Sequence, residues 1–317
     1  LKQTITAEAK ACKITEKALR KMLENARKKL FAVREKRIHP HKDDKILADW
    51  NGLLIAAIAK AARVLGEPMF TEAAKKATMF VFTEMHRDGR LLHRYRDGEA
   101  AIPAFLDDYA FMIWGLLELY ETTFEPEYLE KAIKLNDVLI THFWDEKEGG
   151  FFFTADDAEG LLVRKKDAYD GAIPSGNSVA MLNLLRLSRI TAETDFESMA
   201  AKTGRAFSGD VLGSPTGFTL MICGVDFAIG PSYEIVIVGN LKTSDTQTMM
   251  QAINDQYIPN KVVLLIPADE KGDIITSLAP FAKDHKTIGG KATAYICSNH
   301  VCKSPTADIK TMIKLLR

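Results

Sequence analysis

One plan recurs three times along this chain and limits what it can fold into: a short polar cluster, a long apolar stretch at helical spacing, then an amphipathic helix. The polar clusters are Asp49-Trp50-Asn51-Gly52, Leu106-Asp107-Asp108-Tyr109 and Asp170-Gly171-Ala172-Ile173-Pro174-Ser175-Gly176-Asn177-Ser178, spaced roughly 60 residues apart. This is the rhythm of helical hairpins set around an axis, with the starts of the inner helices gathering polar groups at one mouth. The pattern locates a site without naming a reaction.

The segments between the clusters fit that plan. Residues 15–36 read as a very basic helix with Thr15 as its N-cap, and Pro40 places residues 38–45 in a loop. Residues 53–65 are apolar around most of a helix, which predicts burial on nearly all sides; Gly66 ends it and 69–85 form a one-sided outer helix. Residues 88–98 read as a β-excursion between two Asp-Gly turns. The second hairpin pairs 109–120 with 126–143 and is followed by a Gly- and aromatic-rich β segment at 149–154. The third pairs 179–190 with 195–207, and a fourth inner helix runs from about Pro215 to Phe227. Short β-branched runs at 234–239, 262–266 and 294–297, separated by helix-length spacers, then predict a small α/β unit with partly parallel strands. Two domains are expected: helical hairpins over 1–230 and an α/β subdomain over 231–317 that ends in a C-x4-C segment.

Forty-two basic residues balance forty-two acidic ones, so no global field draws the chain to nucleic acid or to an acidic membrane. No apolar run reaches the roughly 18–20 residues of a bilayer span. Four cysteines are too few for a disulfide scaffold in 317 residues, and a reducing, cytoplasmic setting is expected. The chain opens Leu1-Lys2-Gln3 without an initiator Met or a signal-peptide pattern, and a piece of a longer protein is expected.

Asp49, Asp107, Asp108 and Asp170 lead the candidates for chemistry, because each opens an inner helix. Paired carboxylates at a pocket mouth divide into acid and base when their environments drive their pKa values apart. The competing reading is capping of helix N-termini, which applies to Asp49 and Ser175 in particular. Asp107 and Asp108 are adjacent and point in different directions, so one can cap while the other faces a cavity. Trp50, Tyr109 and Trp114 have the surfaces to stack on a sugar ring, or belong to the core. Asn51 and Asn177 have the groups to orient hydroxyls. In the β-excursion, alternation puts His93 with Tyr95 on one side and Arg94 with Arg96 on the other; an Arg94 aimed at the mouth would bind an anionic group. His39, His41, Asp43 and Asp44 match no established metal spacing, and no metal or cofactor site is expected. Cys297 and Cys302 are either a redox pair, ligands of a shared metal, or two cysteines packed at a strand end.

Three stretches carry a family resemblance: Lys45-Ile46-Leu47-Ala48-Asp49-Trp50-Asn51-Gly52-Leu53, Phe105-Leu106-Asp107-Asp108-Tyr109-Ala110-Phe111 and residues 170–178. They closely resemble the YyaL-type, spermatogenesis-associated, thioredoxin-domain-containing proteins, as does the tail from Ala294 to Pro305. The resemblance implies a mainly α fold: a partial (α/α)6 toroid of helical hairpins with short β excursions, similar to N-acylglucosamine 2-epimerases and six-hairpin glycosidases. It also implies that a thioredoxin-like domain and the first barrel helices are absent from this chain. An incomplete barrel exposes apolar faces, which invites a homo-oligomer. The expected function is a carbohydrate-related catalytic or sugar-binding barrel, epimerase/isomerase- or glycosidase-like. Asp107, Asp108 or Asp170 would transfer protons, and Asp49, Trp50, Asn51, Tyr109, Ser175, Asn177 and Arg94 would bind a sugar or sugar derivative. Proton abstraction beside a carbonyl favours histidine, and none is expected at an inner-helix start. The rival expectation is a non-catalytic recognition barrel that serves the thioredoxin-like domain, with Cys297 and Cys302 as exchange partners.

Overall fold

In the computed structural model, which describes residues 4–160, 162–267, 270–298 and 301–316, the chain divides into two compact units, residues 1–44 and 45–317. The smaller holds α1 (Ile5–Ala11) and the basic α2 (Glu16–Arg34), and Thr15 caps α2 by accepting from Ala18 N at 3.1 Å.

The larger unit opens with β1 (Ile46–Leu47), followed by α3 (Ala48–Leu65) and α4 (Pro68–Glu84). A β-excursion comes next: β2 (His86–Arg87), β3 (Arg90–Arg96) and β4 (Glu99–Pro103), with β1, β2 and β4 all antiparallel to β3. The second and third hairpins are α5 (Leu106–Thr123) with α6 (Pro126–Phe143) and α7 (Gly176–Thr191) with α8 (Thr194–Ala206). A short α9 (Ser208–Gly213) and a 3-10 turn lead into α10 (Thr219–Ile229), which packs on α7 as a fourth inner helix.

The hairpin turns share one chemistry. Helices α3, α5 and α7 each end on a left-handed residue, then a glutamate, then the first residue of the outer helix: Gly66-Glu67-Pro68, Phe124-Glu125-Pro126 and Ala192-Glu193-Thr194. The left-handed residue donates its N–H four residues back, to Ala62, Tyr120 and Ser188 respectively, closing the helix. At Ala192, with φ of 64°, a side chain occupies a conformation that glycine adopts freely. Ala192→Gly should therefore raise stability by about 0.5–1 kcal/mol in a denaturant melt.

Inner and outer helices differ in burial as their patterns require. Helices α5 and α7 are enclosed on nearly all sides, while α4, α6 and α8 bury one face. Helix α3 departs from expectation. It buries Gly52, Ile55, Ala56, Ala59 and Ala62, yet leaves Trp50, Leu54, Val64 and Leu65 exposed. Within this unit α3 begins the row of inner helices and has an inner neighbour, α5, on one side only. The two cross closely: a Cβ on Gly52 would stand 2.6 Å from Met112 N, so only glycine fits there. The aromatic stretch at 149–154 contributes a single bridge, Trp144 to Phe151, rather than a strand.

The C-terminal part forms a four-stranded sheet in the order β6-β5-β7-β8: β5 (Tyr233–Val238), β6 (Lys261–Ile266), β7 (Thr293–Ser298) and β8 (Val301–Cys302). Strands β5 and β6 are parallel through α11 (Ser244–Asn254), and β7 is antiparallel to β5. Helices α12 (Glu270–Leu278) and α13 (Ile309–Leu315) complete it. Strand β6 of this sheet packs on α5 and α7. Among the described residues no helix is long and apolar enough to cross a membrane.

Candidate functional site

The N-termini of α3 and α5 meet the β-excursion at one cluster of titratable side chains. Asp108, in the first turn of α5, is fully buried. Its Oδ1 accepts from Asp49 N at 2.9 Å and its Oδ2 from Phe105 N at 2.8 Å, so one carboxylate caps two backbone segments. His93 Nδ1 lies 3.0 Å from both oxygens. The ring is also set edge-on to Phe105, at 5.1 Å between centroids. With Nδ1 held by a carboxylate, Nε2 is the ring nitrogen left for proton exchange.

Asp49 lies beside this pair and accepts from Trp50 N at 2.7 Å. Burial, reinforced by the charge of Asp108, raises its pKa above the ordinary carboxylate value. The hydrogen bond to Asp108 lifts His93 above its ordinary value, against the opposing effect of burial. Asp107 points elsewhere than Asp108, as adjacent helical residues must. Burial, with Asp108 and Asp49 as like-charged neighbours, pushes its pKa up to about 7, while a backbone bond from Gly176 pulls the other way. Three carboxyl groups and one imidazole therefore share a site in which one acid keeps its proton close to neutrality.

Asp107 lines a cavity of about 420 Å³ whose other walls include Phe153, Lys165, Asp167, Tyr169 and Ile173. Gly176 forms the floor beside it: a Cβ there would collide with Asp107 Oδ1 and stand 2.6 Å from Leu106 Cγ. Gly176→Ala should therefore displace Asp107 and cost about 1–3 kcal/mol in a denaturant melt.

The remaining candidates take other places. Asp170 accepts from Ser175 N at 2.9 Å and from Leu220 N and Met221 N at 2.7 and 3.2 Å, so it ties the α7 entry loop to the start of α10. Ser175 caps α7, accepting from Ser178 N at 3.1 Å. Asn177 is fully buried and spends its amide on Phe151 N, Phe151 O and Asp167 O. Tyr109 is core: it is 1% exposed, and its hydroxyl accepts from Leu91 N and Arg90 Nε. Asn51 donates back to Leu47 O at 2.8 Å, Trp50 is exposed, and Arg94 is half-buried with its Nε unpartnered. The placements of Asp170 and Ser175 follow from helix starts needing acceptors for their free N–H groups, a demand that short polar side chains meet.

Asp49, His93 and Asp108 also have the donors of a metal site, with ligand atoms within 4.8 Å of one another. Here, however, Asp108 and His93 are bonded to each other and Asp108 is engaged by two backbone N–H groups. Cys297 and Cys302 face each other across β7 and β8 and form a disulfide, with Cys297 buried and Cys302 exposed. His93 joins this cluster although sequence reasoning left it out of the candidate site. It reaches the start of an inner helix from the neighbouring excursion, and the only signal was its alternation within residues 88–98.

No family model matches the chain. Spermatogenesis-associated protein 20 of Homo sapiens is 36% identical over 310 residues, which are 94% of this chain and 39% of that protein. An uncharacterized protein of Caenorhabditis elegans is 30% identical over 308 residues, covering 94% of this chain and 41% of that one. The chain thus spans about two fifths of the length of these relatives. A GH76 α-mannanase from Bacteroides thetaiotaomicron has a similar fold, with a TM-score of 0.50 at 14% identity over 77% of this chain and 73% of the enzyme. The repeated polar clusters and the sequence match over nearly the whole chain agree: this is a homologue of the spermatogenesis-associated protein family, built as part of a helical-hairpin barrel.

Proposed function

We propose that this chain carries a carbohydrate-directed acid–base site at the starts of its inner helices, with an epimerase- or isomerase-like proton transfer as its reaction. The observation that carries this reading is the Asp49, Asp108 and His93 cluster at the helix starts, with the neighbouring Asp107 in the wall of an aromatic-lined cavity of a helical-hairpin barrel. Asp107, protonated up to about pH 7, is the group that donates to or accepts from a sugar oxygen. His93, oriented through Nδ1 by Asp108, exchanges a proton at Nε2 with the carbon next to a carbonyl. Asp108 is a positioning residue, since its oxygens are spent on His93 and on two backbone N–H groups.

Incubation with reducing sugars in heavy water, followed by NMR, tests the assignment. Deuterium should enter at the carbon beside the carbonyl, and Asp107→Asn and His93→Gln should each slow its entry by about 10²–10⁴-fold. Release of reducing ends from aryl glycosides without deuterium entry would move the reaction to glycoside hydrolysis. Neither activity at any pH would remove the catalytic reading.

A further inference from the structure

Two aromatic side chains in the cavity wall are placed in a way that neither capping nor core packing explains. Phe153 keeps 38% of its surface exposed and Tyr169 keeps 61%. Phe153 is nevertheless rigidly mounted: its N donates to Lys165 O at 2.8 Å, and its O accepts from Leu106 N at 3.0 Å. One face of its ring is stacked on Phe105, with centroids 4.9 Å apart and planes 11° from parallel. Tyr169 is anchored through its N to Asp167 Oδ1 at 3.0 Å, its ring resting close to Gly217 and edge-on to Phe218. Leaving two fixed aromatic surfaces in water is unfavourable unless something covers them.

The electrostatics of the same wall narrow what the cover is. Among the described lining residues, the single cation is Lys165, whose Nζ is 3.0 Å from Asp167 Oδ2. A phosphate or carboxylate placed there would meet the Asp167 carboxylate, whose pKa is held low, and the one lining cation is already paired with it. An uncharged ring that carries hydroxyls on its edge and C–H groups on its face fits both features. We infer that Phe153 and Tyr169 form a stacking platform for an uncharged pyranose, and that the cavity beside Asp107 selects neutral mono- or disaccharides over sugar phosphates and uronates. The inference rests on the carbohydrate reading of the same site and names its substrate class.

Isothermal titration of the full chain with glucose, mannose, cellobiose, glucose 6-phosphate and glucuronate tests it, alongside Tyr169→Ala, Tyr169→Phe and Phe153→Ala. Tyr169 is exposed, so its variants should fold as the parent does, which a thermal melt checks. A neutral sugar should bind best. Tyr169→Ala should then weaken it by about tenfold or more while Tyr169→Phe keeps most of the affinity. Tighter binding of the phosphate or the uronate would overturn the inference and leave the carbohydrate site standing. So would a neutral sugar that binds both alanine variants as tightly as the parent. Absence of binding by every sugar tested would overturn the inference together with the carbohydrate reading beneath it.

Discussion

Glu118→Ala should cost about 3–5 kcal/mol of folding stability, measured as a shift in the denaturant midpoint at an unchanged slope. Glu118 sits near the C-terminal end of α5, away from the helix start that holds Asp107 and Asp108. Its Oε2 accepts from Arg63 Nη2 at 2.7 Å and its Oε1 from Arg186 Nη1 at 2.9 Å, and Glu121 pairs with the same two arginines at 3.4 and 3.0 Å. The four side chains tie α3, α5 and α7 together, and each is 11% exposed or less. Burial alone would raise the Glu118 carboxyl, but Arg186 and Arg63 overcome it and hold the pKa down, to about 2. Because the folded value lies below the unfolded one, this contribution is complete above about pH 4.5 and is lost as pH falls through about 2. Removing the carboxylate leaves two buried guanidiniums sharing Glu121, and the cost of that uncompensated charge sets the size of the effect. A Glu118→Ala chain as stable as the parent would mean the quartet contributes no more than a surface pair.

Asp107→Asn should move activity and stability in opposite directions. Losing a group that exchanges a proton with substrate should lower kcat by about 10²–10⁴-fold. Stability should rise at and above neutral pH. The folded carboxyl holds its proton to about pH 7, whereas the unfolded one releases it near its ordinary 3.8. Between those values the folded state binds more protons, so stability falls as pH rises, by on the order of 4 kcal/mol once both states are ionised. His93 acts with the same sign. Its folded pKa is raised, so its contribution is present below the unfolded value and is lost as pH climbs through the raised one. Asparagine cannot ionise, so the parent and variant should match in stability near pH 4 and diverge through neutrality in the variant's favour. Equal stability at pH 8 would mean that the carboxyl is not held neutral by its surroundings.

Much of the fold was legible because helical periodicity and the turn residues are local signals. The hairpins begin and end within a few residues of where Pro126, Gly66 and Ser175 place them. The C-terminal strands likewise follow from β-branched runs. What local pattern could not supply was neighbourhood. The apolar ring of residues 53–65 predicts burial on nearly all sides, but α3 has an inner neighbour on one side only and leaves Trp50 and Leu54 exposed. Of the candidate residues, the sequence placed Asp49, Asp107 and Asp108 together at the helix starts but gave less of what surrounds them. Asp107 stands in the cavity wall, while Tyr109 went to the core and Asp170 and Asn177 went to backbone N–H and C=O groups that the sequence does not reveal as needing partners. His93 joins Asp108 across 15 positions, a pairing set by the antiparallel register of β1 and β3 rather than by any spacing within a helix. The Arg63, Glu118, Glu121 and Arg186 quartet hid in the same way, since each member alone reads as the charged face of a helix.

An acid poised near neutrality inside a sugar site, the role proposed for Asp107, has a signature that carbon-13 NMR of its side-chain carboxyl reads across pH, with and without a saturating neutral disaccharide. The free chain should show an inflection at about pH 7, and the sugar should displace it. An inflection in the ordinary carboxylate range that is unmoved by sugar would contradict that role.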